Sequence, residues 1–486
     1  MIGLIQNDER LEADIRDLIY AFFFGEKIKK VVDTSDHYDL YVDVKVTGEQ
    51  VAFSLVKEGR IVGQTCSKSL LRNPVKESVY KLLSEYTKKE LPWGTLTGVR
   101  PTKIALEQIE QGKTKEEIRR YFLENFHCKE QKIEICTKVA ENENRILQGI
   151  SYKDQYSLYV GIPFCPSTCL YCSFTSFPIA SYRDRVEEYL EALFKEIDYV
   201  SRTCAKKQLI SVYFGGGTPT SISAEQLRRL IEKVKDSFDF THVREFTVEA
   251  GRPDSITEEK LKVLLDCGVT RISINPQTMN QETLKLIGRA HTVEQTKEAF
   301  RMAREVGHKN INMDMIVGLP GEDISHVAET LKEIKELKPD SLTVHSLAVK
   351  RAANLNIQME KYRAALKGAT NEMLELVDEY AKQLGLSPYY LYRQKNIPGN
   401  MENIGYAKPG LESIYNILIM EEKQDIIAVG AGASSKFVFR EENRIERAEN
   451  VKNVDHYIGR VEEMIERKKA IMEDKIQRCC IIVKMI

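Results

Sequence analysis

From about residue 151 the chain alternates short apolar runs with amphipathic stretches, six times in series, and few folds accept that pattern. The runs read YSLYVGI, LISVYFGG, EFTVEAG, RISINPQ, NINMDMIVGLP and SLTVHSLAV. Between them, Tyr182, Val186, Tyr189, Leu190, Leu193 and Ile197 fall on one helical face. Capping boxes are expected at Ser223 with Gln226, Ser255 with Glu258, and Thr292 with Gln295. Six β/α units predict a parallel sheet joined by helical crossovers, either an open doubly wound sheet or an incomplete barrel.

Both architectures build their chemistry at the carboxyl ends of the strands. The unusual residues do fall there. Cys165, Cys169 and Cys172 follow the first strand, and GGGTPT (Gly215 to Thr220) follows the second. Glu249 lies in VEAGRPD after the third, and Gln277 in NPQ after the fourth. Asp314, followed by VGLPG, closes the fifth, and His345 lies in the sixth. Taken alone, GGGTPT matches neither the phosphate loop nor GxGxxG. Glu249 or Asp314 alone would read as a solvated or capping carboxylate, and His345 as a hydrogen-bonded core histidine.

The flanks read differently. Residues 1 to about 70 form a small α+β unit, with Ile15, Leu18, Ile19, Phe22 and Phe23 at helical spacing and Leu40, Val42, Val44 and Val46 alternating as a strand before a hairpin. Residues 71–150 are helical, broken by LPWGTLTGVRP around Trp93. The last part, 351–486, opens on charged helix, passes a polar loop at Arg393 to Tyr406 and ends a strand at AVGAGASS. The expected division is 1–150, 151–350 and 351–486. Lys plus Arg (71) and Asp plus Glu (72) nearly cancel, so no general basic field draws nucleic acid. A secretory leader and an 18-residue apolar span are both lacking, and the reading is a soluble cytoplasmic protein without a membrane span.

Ten cysteines are too sparse for a disulfide scaffold. Cys66, Cys128, Cys136, Cys204 and Cys267 read as small buried hydrophobes, and Cys479 and Cys480 carry no assignment. Cys165, Cys169 and Cys172 are different, in the pattern CxxxCxxC on a loop pinned by Pro163 and Pro166. A zinc site completed by a distant His or Cys is one reading. The other is a [4Fe–4S] cube with three irons on thiolates and the fourth open to a small molecule.

CxxxCxxC after a first strand, with GGGTPT after the second, resembles the radical S-adenosylmethionine (SAM) superfamily. YVGIPFC, FGGGTPT, DMIVGLPG and GRAHT resemble the oxygen-independent coproporphyrinogen III oxidase family. The whole length, including LPWGTLTGVRPTKI and GNMENIGY, resembles its long HemZ-type branch. The resemblance implies an incomplete (β/α)6 radical SAM barrel with an N-terminal α+β domain and a C-terminal α+β extension that covers substrate. It implies an oxidoreductase in which Cys165, Cys169 and Cys172 hold the cluster, SAM chelates the open iron, and an electron from a separate donor yields a 5′-deoxyadenosyl radical. Tyr159, Gly216 and Glu249 match contacts to that SAM. Tyr171, Gly217, Thr218, Gln277, Arg289 and Asp314 match positions around a second one. The implied reaction, in haem (porphyrin) biosynthesis, turns two propionates of coproporphyrinogen III into the vinyl groups of protoporphyrinogen IX.

Carboxylates of such a substrate call for cationic anchors, and Arg289, Arg393 and Lys395 are candidates by position. Bacterial members of proven type commonly carry a histidine where Gly161 stands and a fourth cysteine just after the triad, where this chain has Ser173 and Phe174, and their commoner GVQ is NPQ here. The ending Cys172–Ser173–Phe174 is closer to relatives that bind and hand over haem. A haem-binding chaperone that does not turn over coproporphyrinogen is therefore the alternative.

Overall fold

The computed structural model describes residues 1–98, 100–350, 352–394, 397 and 400–485, with side chains as far as Lys475. Lys395 lies outside the described residues, as do the side chains of Cys479 and Cys480.

Eleven strands build the large sheet: β1 (Gln155–Ile162), β2 (Gln208–Gly216), β3 (Glu245–Gly251), β4 (Arg271–Ile274), β5 (Ile311–Val317), β6 (Ser341–Ser346), β7 (Ser387–Arg393), β8 (Glu402–Ala407), β9 (Asp425–Val429), β10 (Ser434–Phe439) and β11 (Arg444–Glu449). Their spatial order is β7-β8-β6-β5-β4-β3-β2-β1-β9-β10-β11. The six expected strands stand side by side and parallel. Helices Val186–Cys204, Ala224–Ser237, Glu258–Asp266, Val293–Val306 and Ile324–Leu337 fill the crossovers. The sheet ends in free edges at β7 and β11, so the barrel is incomplete.

Val160, Phe214, Val248, Ile274, Met315 and Val344 form one core with the inner faces of these helices. Each side chain of this size contributes about 1.5–3 kcal/mol on full burial.

Three local expectations change. Ser255 does not cap the third helix: Thr257 accepts from Lys260 N (3.3 Å), while Ser255 Oγ donates to Arg252 O (2.8 Å) in the preceding turn. The first crossover helix begins at Val186, and Tyr182 precedes it. The loop expected across Arg393 to Tyr406 contains β8, antiparallel to β6. The boxes at Ser223 and Thr292 are present.

At the other flank β9 runs parallel to β1, and β10 and β11 continue antiparallel. The N-terminal sheet has the order 28–31, 2–6, 40–47, 50–57, 60–67 and is backed by helices Glu12–Phe22 and Arg72–Thr87 around their own core. Cys66 lies on its edge strand and is exposed, unlike Cys128, Cys136, Cys204 and Cys267, which are buried. Among the described residues no helix is long and apolar enough to cross a membrane.

Candidate active site

The thiol loop starts where β1 ends. Phe164–Cys165 pairs with Phe177–Pro178 in a two-residue parallel ladder, and Phe177 N donates to Pro163 O at 2.8 Å. This clamps both ends of the loop. Cys165 and Cys169 are buried and Cys172 is half-buried, and all three are free thiols. Gly217 N and Thr218 N donate to Ile162 O and Phe164 O, each at 2.7 Å, so the glycine turn is laced directly to the cysteine strand. Thr218 Oγ1 lies 3.4 Å from Cys165 Sγ.

A Cβ added at Gly217 would stand 2.5 Å from Phe164 O and 3.0 Å from Cys165 Sγ. Glycine is therefore required by the closeness of two backbones rather than by a turn. Gly217→Ala is expected to push Cys165 out of place and cut the iron retained after reconstitution at least ~10-fold, measured by metal analysis of purified protein.

Two arginines carry the loop from below. Arg252, just after β3, forks onto Asp254 (Nε 3.0 Å to Oδ1, Nη2 2.6 Å to Oδ2). Its Nη1 donates to Ser167 O at 3.0 Å and Oγ at 2.7 Å and lies 3.9 Å from Cys169 Sγ. Arg289 Nη1 donates to Tyr171 OH (3.1 Å), and its Nη2 to Asn275 O (2.6 Å). Both guanidiniums are buried, which suits thiolates and an anionic centre. His291, from the same GRAHT stretch, is buried near Asp254 and pushed down to about 3 by burial and the Arg289 charge, so it is neutral. Arg252 and His291 were not singled out from sequence, although Arg252 lies in the VEAGRPD motif, where its place after a strand end was the available signal.

Deeper in, Tyr213 OH donates to Glu249 Oε1 at 2.6 Å, and Gly215 lets that carboxylate close in, since a Cβ there would lie 3.1 Å from it. Burial pushes the Glu249 carboxyl up to about 7, against the Tyr213 hydrogen bond, and Asp314 adds to the rise. Tyr159 stacks on Tyr213 (centroids 6.1 Å) and Tyr415 (6.2 Å). Gly216 adopts φ +109°, with its Cβ position against Ile162 O.

The NPQ segment leaves β4 after Ile274 and rejoins the ladder through one bridge. Gln277 N donates to Asp314 O, and Ile316 N to Gln277 O, each at 2.9 Å. Gln277 holds φ +68°, an unfavourable value for a side-chain-bearing residue, and its Oε1 is buried with no hydrogen-bond partner among the described residues. Asn312 Nδ2 donates to Asp314 Oδ1 (2.6 Å) and to Ser273 Oγ (2.9 Å). His345 is lowered by burial, with the Asn403 side chain beside it.

Cys165, Gly216, Gly217 and Thr218 thus share one contact set, Tyr159 and Glu249 a second through Tyr213, Tyr171 and Arg289 a third, and Gln277 and Asp314 a fourth; Tyr159, Gly216, Glu249 and Asp314 lie within the carboxyl-terminal halves of their strands and the others in the segments that follow strands. Arg393 does not join them. It is buried against Trp93 (5.4 Å to the ring centroid) and donates to Leu96 O (2.7 Å) and Asn400 O (3.0 Å), which ties the Trp93 loop to β7. Its charge serves the backbone, so it is no substrate anchor.

The residues fit a cluster. Three free thiols stand on one clamped loop, with Cys165 against the Gly217 backbone and the buried Arg252 beside Cys169, a donor set that suits a cube in which each thiolate binds its own iron.

Residues 159–334 match the model of the radical SAM superfamily. The oxygen-independent coproporphyrinogen-III oxidase-like protein HemZ of Bacillus subtilis (strain 168) is 40% identical over 489 aligned positions, covering 97% of both chains. The chain belongs to this radical SAM family of coproporphyrinogen-III oxidase-like proteins. The heme chaperone HemW of the same organism is 34% identical over 63% of this chain and 76% of its own. The solved coproporphyrinogen III oxidase HemN of Escherichia coli, described as a radical SAM enzyme, shares the fold at TM-score 0.50 and 24% identity, covering 66% of this chain and 73% of its own. Membership in the radical SAM family implies SAM and a [4Fe–4S] cluster, and it gives the laced turn of Gly215–Gly217 and the thiol loop a common purpose.

Proposed function

We propose that this protein holds a [4Fe–4S] cluster on Cys165, Cys169 and Cys172, binds SAM, and oxidatively decarboxylates coproporphyrinogen III to protoporphyrinogen IX. The observation that supports it most is the thiol loop, clamped at both ends, backed by two buried arginines and walled by glycine. When bound, cluster and SAM supply hydrogen-atom abstraction from the substrate. For each propionate, loss of one hydrogen atom, CO2 and one electron, which an external electron acceptor takes up, leaves a vinyl group. A separate electron donor is required to start each turnover.

The chain's own groups bind and orient. The Gly215–Gly217 backbone packs against Ile162, Phe164 and Cys165 and so fixes where the thiol loop stands, and Tyr159 and Glu249 lie deeper in. Tyr171, Thr218, Gln277, Arg289 and Asp314 stand around the upper rim, where Gln277 Oε1 is a buried acceptor awaiting a donor. Residues 1–150 are an N-terminal extension, 151–350 the core and 351–486 the cover over the substrate in this reading.

Glu249 gives a pH prediction. A ligand hydroxyl or ammonium needs the carboxylate as acceptor, and that form is gained as pH rises through about 7. SAM affinity is expected to climb about tenfold between about pH 6 and 8, and Glu249→Gln to flatten the profile, read by isothermal titration under argon.

The test of the reaction is anaerobic. Reconstituted protein with SAM, a reductant and coproporphyrinogen III should yield 5′-deoxyadenosine and protoporphyrinogen IX. Cleavage of SAM without decarboxylated product, together with a stoichiometric haem complex seen by absorbance, would replace this reading by that of a haem chaperone.

A further inference from the structure

Phe174 and Lys350 are left over from the site as described. Phe174, two residues beyond Cys172, is 68% exposed, a large aromatic standing in solvent beside the thiol loop. Lys350 follows β6 at its carboxyl end and places Nζ 5.3 Å from the Phe174 ring centroid. The ammonium is half-buried, and among the described residues no carboxylate pairs with it. The groups around it are Cys172 and the buried His345.

Both supports are firm. Leu355 N donates to Leu170 O at 2.8 Å, and Leu170, Leu347, Val349, Leu355 and Tyr362 form a small core under both segments. The pair is therefore held in place rather than met by chance on two mobile tails.

We propose that Phe174 and Lys350 form the docking plate for the tetrapyrrole, Phe174 stacking on the macrocycle face and Lys350 taking one propionate carboxylate at its rim. A tetrapyrrole, whose apolar pyrrole faces are edged with carboxylates, matches an exposed ring with an unpaired cation beside it. Partial burial already costs Lys350 hydration, so an incoming anion gains more there than at an exposed lysine. The inference rests on the tetrapyrrole reading above.

The probe is coproporphyrin III, the stable tetracarboxylate, titrated by fluorescence quenching into cluster-loaded protein without SAM. Lys350→Gln should weaken binding at least ~10-fold, and Lys350→Arg should restore most of it. Phe174→Ala should weaken both coproporphyrin III and its uncharged tetramethyl ester, whereas Lys350→Gln should leave the ester's affinity unchanged. Iron content equal to that of the unmutated protein confirms intact folding. The plate is overturned if the unmutated protein does not bind coproporphyrin III, if Lys350→Gln binds it as tightly, or if that variant loses SAM affinity instead. Unmutated protein that binds through both residues yet forms no product keeps the plate and loses the decarboxylase. Product formed with an unchanged KM for coproporphyrinogen in both variants does the reverse.

Discussion

Cys165→Ala is expected to abolish iron loading and SAM cleavage together, with iron falling from about four atoms per chain to a trace after anaerobic reconstitution. Cys165 is built tightly into the turn, with Thr218 Oγ1 at 3.4 Å and the Gly217 backbone against its sulfur. Burial pushes its thiol up to about 12, opposed by the Thr218 hydrogen bond. At neutral pH the empty thiol is protonated, so the incoming irons must displace that proton, and loading should improve as pH rises. Cys204→Ala, at a buried cysteine far from the loop in sequence, should keep its iron and serves as the control.

Glu196→Ala has the largest expected cost to stability. Glu196 and Lys468 form an ion pair at 2.6 Å with both side chains 0% exposed. The same carboxylate accepts from Asn450 Nδ2 (2.8 Å), Gly430 N (2.8 Å) and Tyr457 OH (2.5 Å). Removing it strands a buried ammonium, which costs about 3–5 kcal/mol. Unfolding in urea should report this loss, and the double variant Glu196→Ala with Lys468→Met should recover most of it.

The effect should reach the site. Gly430 sits at φ +100° with its Cβ position 2.4 Å from Gly161 O, and Tyr189 OH donates to the same oxygen at 2.6 Å. The loop held by Glu196 thus buttresses the end of β1 that leads into Cys165.

The parallel core was legible in sequence because β1 to β6 are short apolar-rich runs separated by amphipathic helices, and the cysteines and glycines at the ends of the first two, with Glu249 and Asp314 late in the third and fifth, named the rim. The partners of β1 and β6 at the sheet's flanks were not. β9 joins β1 across more than two hundred residues, and β8 pairs with β6 inside a stretch of Asn, Gly and Glu that reads as loop. Such pairings are decided by which edge lies open in the folded core, and local periodicity carries no record of that. Arg393 misled for a related reason: a guanidinium beside a predicted loop reads as free, yet Trp93, three hundred residues earlier, lies against it. Ser255 lost its cap to Thr257 because its hydroxyl meets Thr220 Oγ1 at 2.7 Å, a partner from another strand end.

The central claim is an iron left open for SAM. Reduced, anaerobically reconstituted protein should give the electron paramagnetic resonance of a [4Fe–4S] cluster, and that signal should shift on adding SAM. Zinc in place of iron, or a cluster signal unchanged by saturating SAM, would contradict it.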